Sequence, residues 1–422
     1  MTLRGKRLSF SQSLPHKMSE WFVFILIILF FAVRDIPVLL YGGQIVAFAG
    51  IIWQYKQINR RYCLVWFLFI LWVALTGLWA SDKDHYLKMV REISQVGLLC
   101  VFFYNGCRKE QDIEKILKYI TLASFVLFIY FIIKTPLSEW SKAFHSEESV
   151  ASAMDRFGYS VGYHPNGFGP LCALECSCWL YQWRRYKNKS ALLWSILPFI
   201  LLLFTKSRSA FLFFGIILIV YILFEKNNSK RILRRMAFIA IGVFVALLAI
   251  LYIQPLYKLF GYRVAGVLAF ITGEGKVDAS VSGRNLLITA GKGIITDHPL
   301  LGVGAGNYSN VAYAGYGTWK DVYAHSNYIE LWSDLGLIGI LIYYIPRYWC
   351  LLRLTKKRKN LGNRHSGMLC CFFIAIMIAE LVSDFFRMSY YYEYDQIFFT
   401  MCFAYSIMPI ERKISRNGSD CG

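Results

Sequence analysis

Charge is scarce in this sequence, and acid is the scarcer half of it. Only 17% of the 422 residues are charged, and 26 Asp and Glu stand against 46 Lys and Arg. Soluble domains carry about 25% charged residues, so the shortfall excludes an ordinary water-soluble chain. The 11 cysteines avoid every segment expected to face an oxidising exterior, which excludes a disulfide framework. No cluster of His, Cys and carboxylate with ligand spacing occurs in the outer loops, so nothing there suggests a metal. No internal repeat and no matched pair of Gly- or Pro-broken helices is found, features that a transporter would favour. The basic N-terminal segment lacks a small-residue cleavage site, so the first apolar run is expected to be a retained helix and not a signal peptide.

What is abundant is apolar surface. The chain is 57% hydrophobic and 17% aromatic, with mean hydropathy +0.44. The apolar residues fall in blocks close to the ~20 needed to cross ~30 Å of hydrocarbon. We expect an all-α integral membrane protein of about twelve spans forming one polytopic domain over 1–422. The spans are 21–33, 36–55, 64–79, 87–106, 116–133, 166–183, 191–204, 210–224, 236–253, 328–346, 367–382 and 396–409. Of the 46 basic residues, 29 fall in seven short segments on one side. By the positive-inside rule both termini are then cytoplasmic. The +20 charge reflects topology and attraction to lipid headgroups. Basic residues scattered over seven short segments do not suit a nucleic acid. Two outer segments are long, 134–165 and 254–327, and the second is expected to hold a helix over 285–296. Loops of this length are usually functional when ordered.

Candidate site residues lie on the outer side. Arg208 sits in F-T-K-S-R-S-A-F, a turn between two apolar runs. An arginine at membrane depth is costly, and two small serines leave room beside it for a ligand. Lys206 better suits a snorkelling interface anchor. Arg284 lies in S-V-S-G-R-N, where Ser282 would cap a helix and put the arginine in its first turn. A cation there opposes the helix dipole unless an anion binds. His325 stands in A-H-S-N-Y-I-E-L-W-S-D-L-G-L-I-G at a membrane boundary, and an imidazole is the usual base near neutral pH. Glu330 is five residues on, too far for the same helical face. His164, in G-Y-H-P-N-G-F-G, is a second outer histidine, and His298 reads as loop-shaping. Glycines 302, 304 and 306 follow no strand, so they read as backbone turns and not as a nucleotide fingerprint. Cys176 and Cys178 read as small packing residues. Arg91 and Glu92, near the outer end of the fourth span, read as an additional binding surface, and Asn327 is a further candidate beside His325.

Taken in order, S-R-S-A on an outer turn, S-G-R before a short helix, H-P-L-L-G-V-G-A-G-N and H-S-N-Y-I-E-L-W-S-D-L-G-L-I-G resemble the bacterial O-antigen ligase and polymerase family. The resemblance is strongest over Arg208 to Gly339. It implies a GT-C-like membrane glycosyltransferase without a cofactor or metal, inverting at the sugar carbon, on the outer face of a bacterial cytoplasmic membrane. The implied donor is a glycan on undecaprenyl diphosphate, and the implied acceptor is a glycan or a lipid-linked sugar. Carried over by motif, Arg208 and Arg284 would hold the diphosphate and His325 would activate the acceptor hydroxyl. A flippase and chain-length regulators are expected companions. A polymerase of surface polysaccharide (O-antigen, capsule or exopolysaccharide) is favoured by the aromatics Tyr308, Tyr313, Tyr316, Trp319 and Tyr323, which suit stacking on sugar rings. A ligase acting on lipid A core and a lipid-linked glycan flippase are the alternatives.

Overall fold

Long apolar runs leave the backbone no cheaper arrangement in lipid than helices, which satisfy their own N–H and C=O groups. The computed structural model describes residues 60–140, 165–225, 229–254, 279–361 and 365–410, with residues 261 and 272. These contain helices and no strand. In chain order they are α1 (Arg60–Leu75), α2 (Lys83–Gly106), α3 (Glu110–Lys134), α4 (Pro165–Tyr186), α5 (Lys189–Trp194), α6 (Ile196–Thr205) and α7 (Arg208–Phe224). Then follow α8 (Ser229–Tyr252), α9 (Ala279–Asp297), α10 (Tyr308–Tyr316), α11 (Asn327–Leu361), α12 (His365–Ser383) and α13 (Glu393–Ile407). Helices thus lie at ten of the twelve expected spans; 21–33 and 36–55 fall outside the described residues. Three helical stretches are long and apolar enough to cross a membrane: Arg60–Leu78, Glu110–Lys134 and Asn327–Leu361.

Local signals set the helix ends. Asp82 caps α2, its carboxylate accepting from Asp84 N and His85 N at 3.0 Å each, as N-cap acids do. These donors, His85 N–H first, hold the Asp82 carboxyl below its usual range. Pro165 opens α4, where its missing N–H costs nothing. Gly317, at φ +65°, closes α10.

One difference from the sequence reading concerns Arg347–Leu361, expected as a cytoplasmic loop. It continues α11. Lys, Arg and Leu are good helix formers, and nothing there breaks the helix. The cations are used on its flank: Lys357 Nζ donates to Tyr405 O (2.5 Å) and Met408 O (3.0 Å) at the end of α13. Arg358 Nε donates to Phe224 O, the last residue of α7 (3.0 Å). Cations satisfying terminal carbonyls are favourable both as donors and through the helix dipole.

Packing places small residues where backbones meet. α7 lies against α12 and α4, and α11 against α12, α13, α9 and α1. A Cβ on Gly169 of α4 would stand 2.8 Å from Ala210 Cβ and 3.1 Å from Ser207 Cβ, so glycine sets how close α4 approaches the start of α7. Cys176 and Cys178 are buried in α4, and Cys176 Sγ donates to Ser195 O at 3.6 Å. Lys206 is also enclosed, 3% exposed, and does not snorkel. It ends α6 in the left-handed region (φ +50°).

The orientation read from the loops predicts a labelling pattern. Gly315 and Asn360 are both exposed. In intact spheroplasts a cysteine at Gly315 is expected to react with an impermeant thiol reagent and one at Asn360 is not. The reverse pattern would invert the topology.

Candidate active site

The glycines of H-P-L-L-G-V-G-A-G-N and of S-D-L-G-L-I-G make one structural unit. Gly302, Gly304, Gly306 and Gly336 have φ of +67°, +102°, +72° and +67°, a region open to glycine at no steric cost. Gly336 interrupts α11, and the first motif runs through the break. Val303 N donates to Ser333 O and Gly304 N to Asp334 O, both at 2.8 Å, and Leu337 N donates to Pro299 O at 2.9 Å. A Cβ on Gly336 would lie 2.1 Å from Leu300 O. The Asp334 carboxylate accepts Gly306 N and Tyr308 N at 2.8 Å each. Asn307 then ties the unit to the α1–α2 turn, its Oδ1 accepting Ser81 Oγ (2.9 Å) and Asp82 N (2.7 Å). The turn reading of these glycines therefore holds.

On this base sits His325. Its φ is +54°, uncommon for a residue with a side chain, and its ring lies 4.2 Å from that of Tyr323. Ser326 and Asn327 fasten the chain just after it. Ser326 Oγ donates to Asp384 O (3.2 Å), and Asn327 N donates to Asp384 O (2.7 Å) and Arg387 O (3.1 Å). The Asn327 amide is fully buried: Nδ2 donates to Tyr344 Oη, and Oδ1 accepts Ser389 N and Tyr390 N. Asn327 thus holds the 384–390 turn behind the histidine; it does not face the space in front of it.

Tyr323 connects His325 to the other candidates. Its hydroxyl is hydrogen-bonded to the Asn166 side chain, and Arg284 and Glu330 lie within electrostatic reach. Burial, reinforced by Tyr392, pushes the Tyr323 hydroxyl above its usual range, while Asn166 and Arg284 act the other way. Asn166 stands in the first turn of α4, so the start of that helix borders the site; His164 lies outside the described residues. The same stretch of α4 meets Tyr392, whose Oη would be 3.5 Å from a Cβ on Gly167, and Tyr394, whose Oη donates to Gly167 O at 3.0 Å. Three residues further along, Gly169 touches the Thr205–Ala210 turn that carries Arg208. The start of α4 is therefore a common neighbour of the Arg208 turn and of the His325–Tyr323 pair.

Two arginine environments differ from expectation. α9 begins at Ala279, so Ser282 is no cap and Arg284 occupies the second turn. The helix runs through Gly283, and the Trp319 ring packs there, 3.3 Å from where a Cβ would be. The expected setting, a cation among the first N–H groups of a helix, occurs instead at Arg208, the first residue of α7, where the N-cap Ser207 makes no side-chain cap. Arg91 lies on the exposed side of α2, whereas Glu92 reaches Tyr390 and Tyr391 electrostatically.

The aromatics divide by burial. Tyr308 is fully buried with Oη donating to Leu287 O, and Tyr316 Oη reaches Asp297 at 3.3 Å. Those two are structural. Tyr313 (46% exposed, with Lys320 Nζ 5.1 Å over its ring) and Trp319 (55% exposed) remain open for stacking.

The sequence reading missed the Tyr390–Tyr394 cluster and His85. The Y-Y-Y-E-Y run at a span edge was the available signal for the first. His85 shows no motif: Asp82 lies 2.8 Å from Nδ1 and Asp321 lies 3.2 Å from Nε2.

Comparison with known proteins agrees with this region. Residues 193–344 match the family described as O-Antigen ligase. That match includes Arg208, Arg284 and His325 and stops short of Arg387. The chain is also similar to the teichuronic acid biosynthesis protein TuaE of Bacillus subtilis (strain 168), at 25% identity over 236 residues. The similarity covers 53% of this chain and 46% of that protein, so the chain spans about half the length of the relative it matches.

Proposed function

We propose that this protein is a membrane glycosyltransferase that polymerises a surface polysaccharide. It would transfer a glycan from an undecaprenyl diphosphate carrier to an acceptor sugar on the outer face of the cytoplasmic membrane. The observation that carries this reading is the linkage of His325, through Tyr323, to Arg284 and to the segment of α4 that packs on the Arg208 turn. A base and two permanent cations, linked through the start of α4 and Tyr323, are the groups that displacement of a diphosphate by a hydroxyl would use. The match to the O-antigen ligase family and a relative named for teichuronic acid biosynthesis support the envelope-glycan setting.

In the reaction the acceptor oxygen forms a bond to the sugar C1 while His325 takes the hydroxyl proton. The C1–O bond to the diphosphate breaks, and the diphosphate leaves with the electron pair. A single displacement inverts the configuration at C1. Arg208 and Arg284 neutralise the charge that gathers on the leaving oxygens, and their fixed forks of donors suit phosphate. Among the described residues no group of three or more His, Cys, Asp or Glu is placed to hold a metal, and the cations here are arginines. We read the reaction as metal-independent because the family resemblance implies it. Ligation to lipid A core uses the same chemistry with another acceptor, and the description of the matched family favours it as the second reading.

The experiment is substitution of each arginine. Arg208→Lys and Arg284→Lys are each expected to lose most of the turnover, because a point charge does not replace a bidentate fork. Arg→Ala is expected also to weaken donor binding, each charge-assisted contact being worth ~1.5–3 kcal/mol. Full activity in both lysine variants would remove the diphosphate role.

A further inference from the structure

His325 and Glu330 are five residues apart, and on a continuous helix they would face different ways. The helix, however, starts only at Asn327. Glu330 N donates to Ser326 O (3.0 Å), so Glu330 belongs to the first turn and its side chain folds back over the helix start. There Oε2 accepts the N–H of Ala324 at 2.5 Å. Ala324 is fully buried and Glu330 is 6% exposed. A buried N–H without an acceptor is costly, and so is a buried carboxylate without a donor; here each answers the other. The contact falls on the Tyr323–Ala324 peptide, one residue before His325, whose φ of +54° persists only where the surroundings over-determine it. The chain after the histidine is held by Ser326 and Asn327 on the 384–387 carbonyls. Glu330 holds the chain before it.

We propose that Glu330 is a positioning residue for His325: its carboxylate, by accepting the Ala324 N–H, sets the left-handed turn that presents the imidazole. As a statement about catalysis this rests on the reading of His325 as the base; as a statement about the turn it does not. The role needs an acceptor oxygen at the right reach and needs no negative charge. Glutamine keeps the oxygen and the reach, whereas aspartate keeps the charge and loses the reach. A group acting by charge, or as a proton acceptor from His325, would respond in the opposite order. Tyr308, Tyr323, Tyr390, Tyr391 and Asp334 are the other titratable groups within electrostatic reach of the carboxyl.

The test uses detergent-purified full-length protein and diethyl pyrocarbonate, which acylates neutral imidazole. Modification at each histidine is followed by peptide mass spectrometry. His298 is exposed and His85 partly so, and both serve as internal references. Glu330→Asp is expected to change the His325 rate several-fold against the references, and Glu330→Gln to leave rate and pH profile unaltered. Polymer made in a host deleted for its own copy should follow the same order, with Asp down ~10–10²-fold for a misplaced base. Any other order of reactivities, including both variants behaving like wild type, overturns the proposal. If His325→Ala still makes polymer, the catalytic reading fails while the reactivity result continues to decide the turn.

Discussion

His325→Ala is expected to lower turnover by ~10²–10⁴-fold, the usual contribution of a positioned base, and to leave donor binding nearly intact. In the proposed role the imidazole would touch the acceptor proton, which moves only as the new bond forms, so its loss should appear in kcat and not in KM. The fold effect should be absent: the ring lies against Tyr323, while the turn is anchored by the backbone and side chains of Ala324, Ser326 and Asn327. His164→Ala, assayed beside it, is the control. If His164→Ala were dead and His325→Ala active, with both proteins inserted and folded, the base would be misassigned.

Arg387→Ala is expected to cost ~3–5 kcal/mol of stability, the range for removing one partner of a buried ion pair. Arg387 and Asp395 are 3% and 2% exposed. Nη1 and Nη2 grip the two carboxylate oxygens at 2.6 and 2.5 Å, Nε donates to Ser383 Oγ at 3.1 Å, and the guanidinium lies 5.0 Å over Phe213. Alanine would leave the Asp395 charge buried without its counterion. Such a loss is a large share of a typical ~5–15 kcal/mol total. The damage should also reach the site, because Arg387 O accepts the Asn327 N–H next to His325. Thermal loss of the monodisperse peak in size-exclusion chromatography measures the effect. Arg387→Met combined with Asp395→Leu should recover much of it, since apolar groups of similar size can replace a buried pair. A single variant as stable as wild type would contradict the packing described here.

Helix positions were legible in the sequence because an apolar run in a lipid-spanning chain has one backbone solution. The positive-φ glycines were legible for a similar reason: 302, 304 and 306 belong to no helix or strand pattern. Three features were not legible. The start of α9 was misplaced because Ser282 and Gly283 look like a cap, whereas the helix begins at Ala279 and carries Gly283 against the Trp319 ring. Glu330 was set aside by helical spacing, yet His325 stands in a left-handed turn outside the helix, where that spacing does not apply. The Arg387–Asp395 pair closes the turn between α12 and α13, and the Asn327 contacts with 384–390 join residues more than fifty positions apart; the hydropathy pattern carries no signal of either pairing. Arg208 and Arg284 were singled out by motif; their link through α4 and Tyr323 needed the fold.

The most direct measurement of the central claim uses purified full-length protein in vesicles with an undecaprenyl-diphosphate-linked repeat unit from a strain that assembles such a polymer. Released undecaprenyl diphosphate and glycan length are followed together. The account predicts that the carrier is freed as glycan bonds form, that EDTA leaves the rate unchanged, and that His325→Ala lowers both signals together by ~10²–10⁴-fold. A repeat unit that crosses the bilayer unaltered, with no diphosphate released by protein that is folded and inserted, would contradict it and point to a lipid-linked glycan flippase.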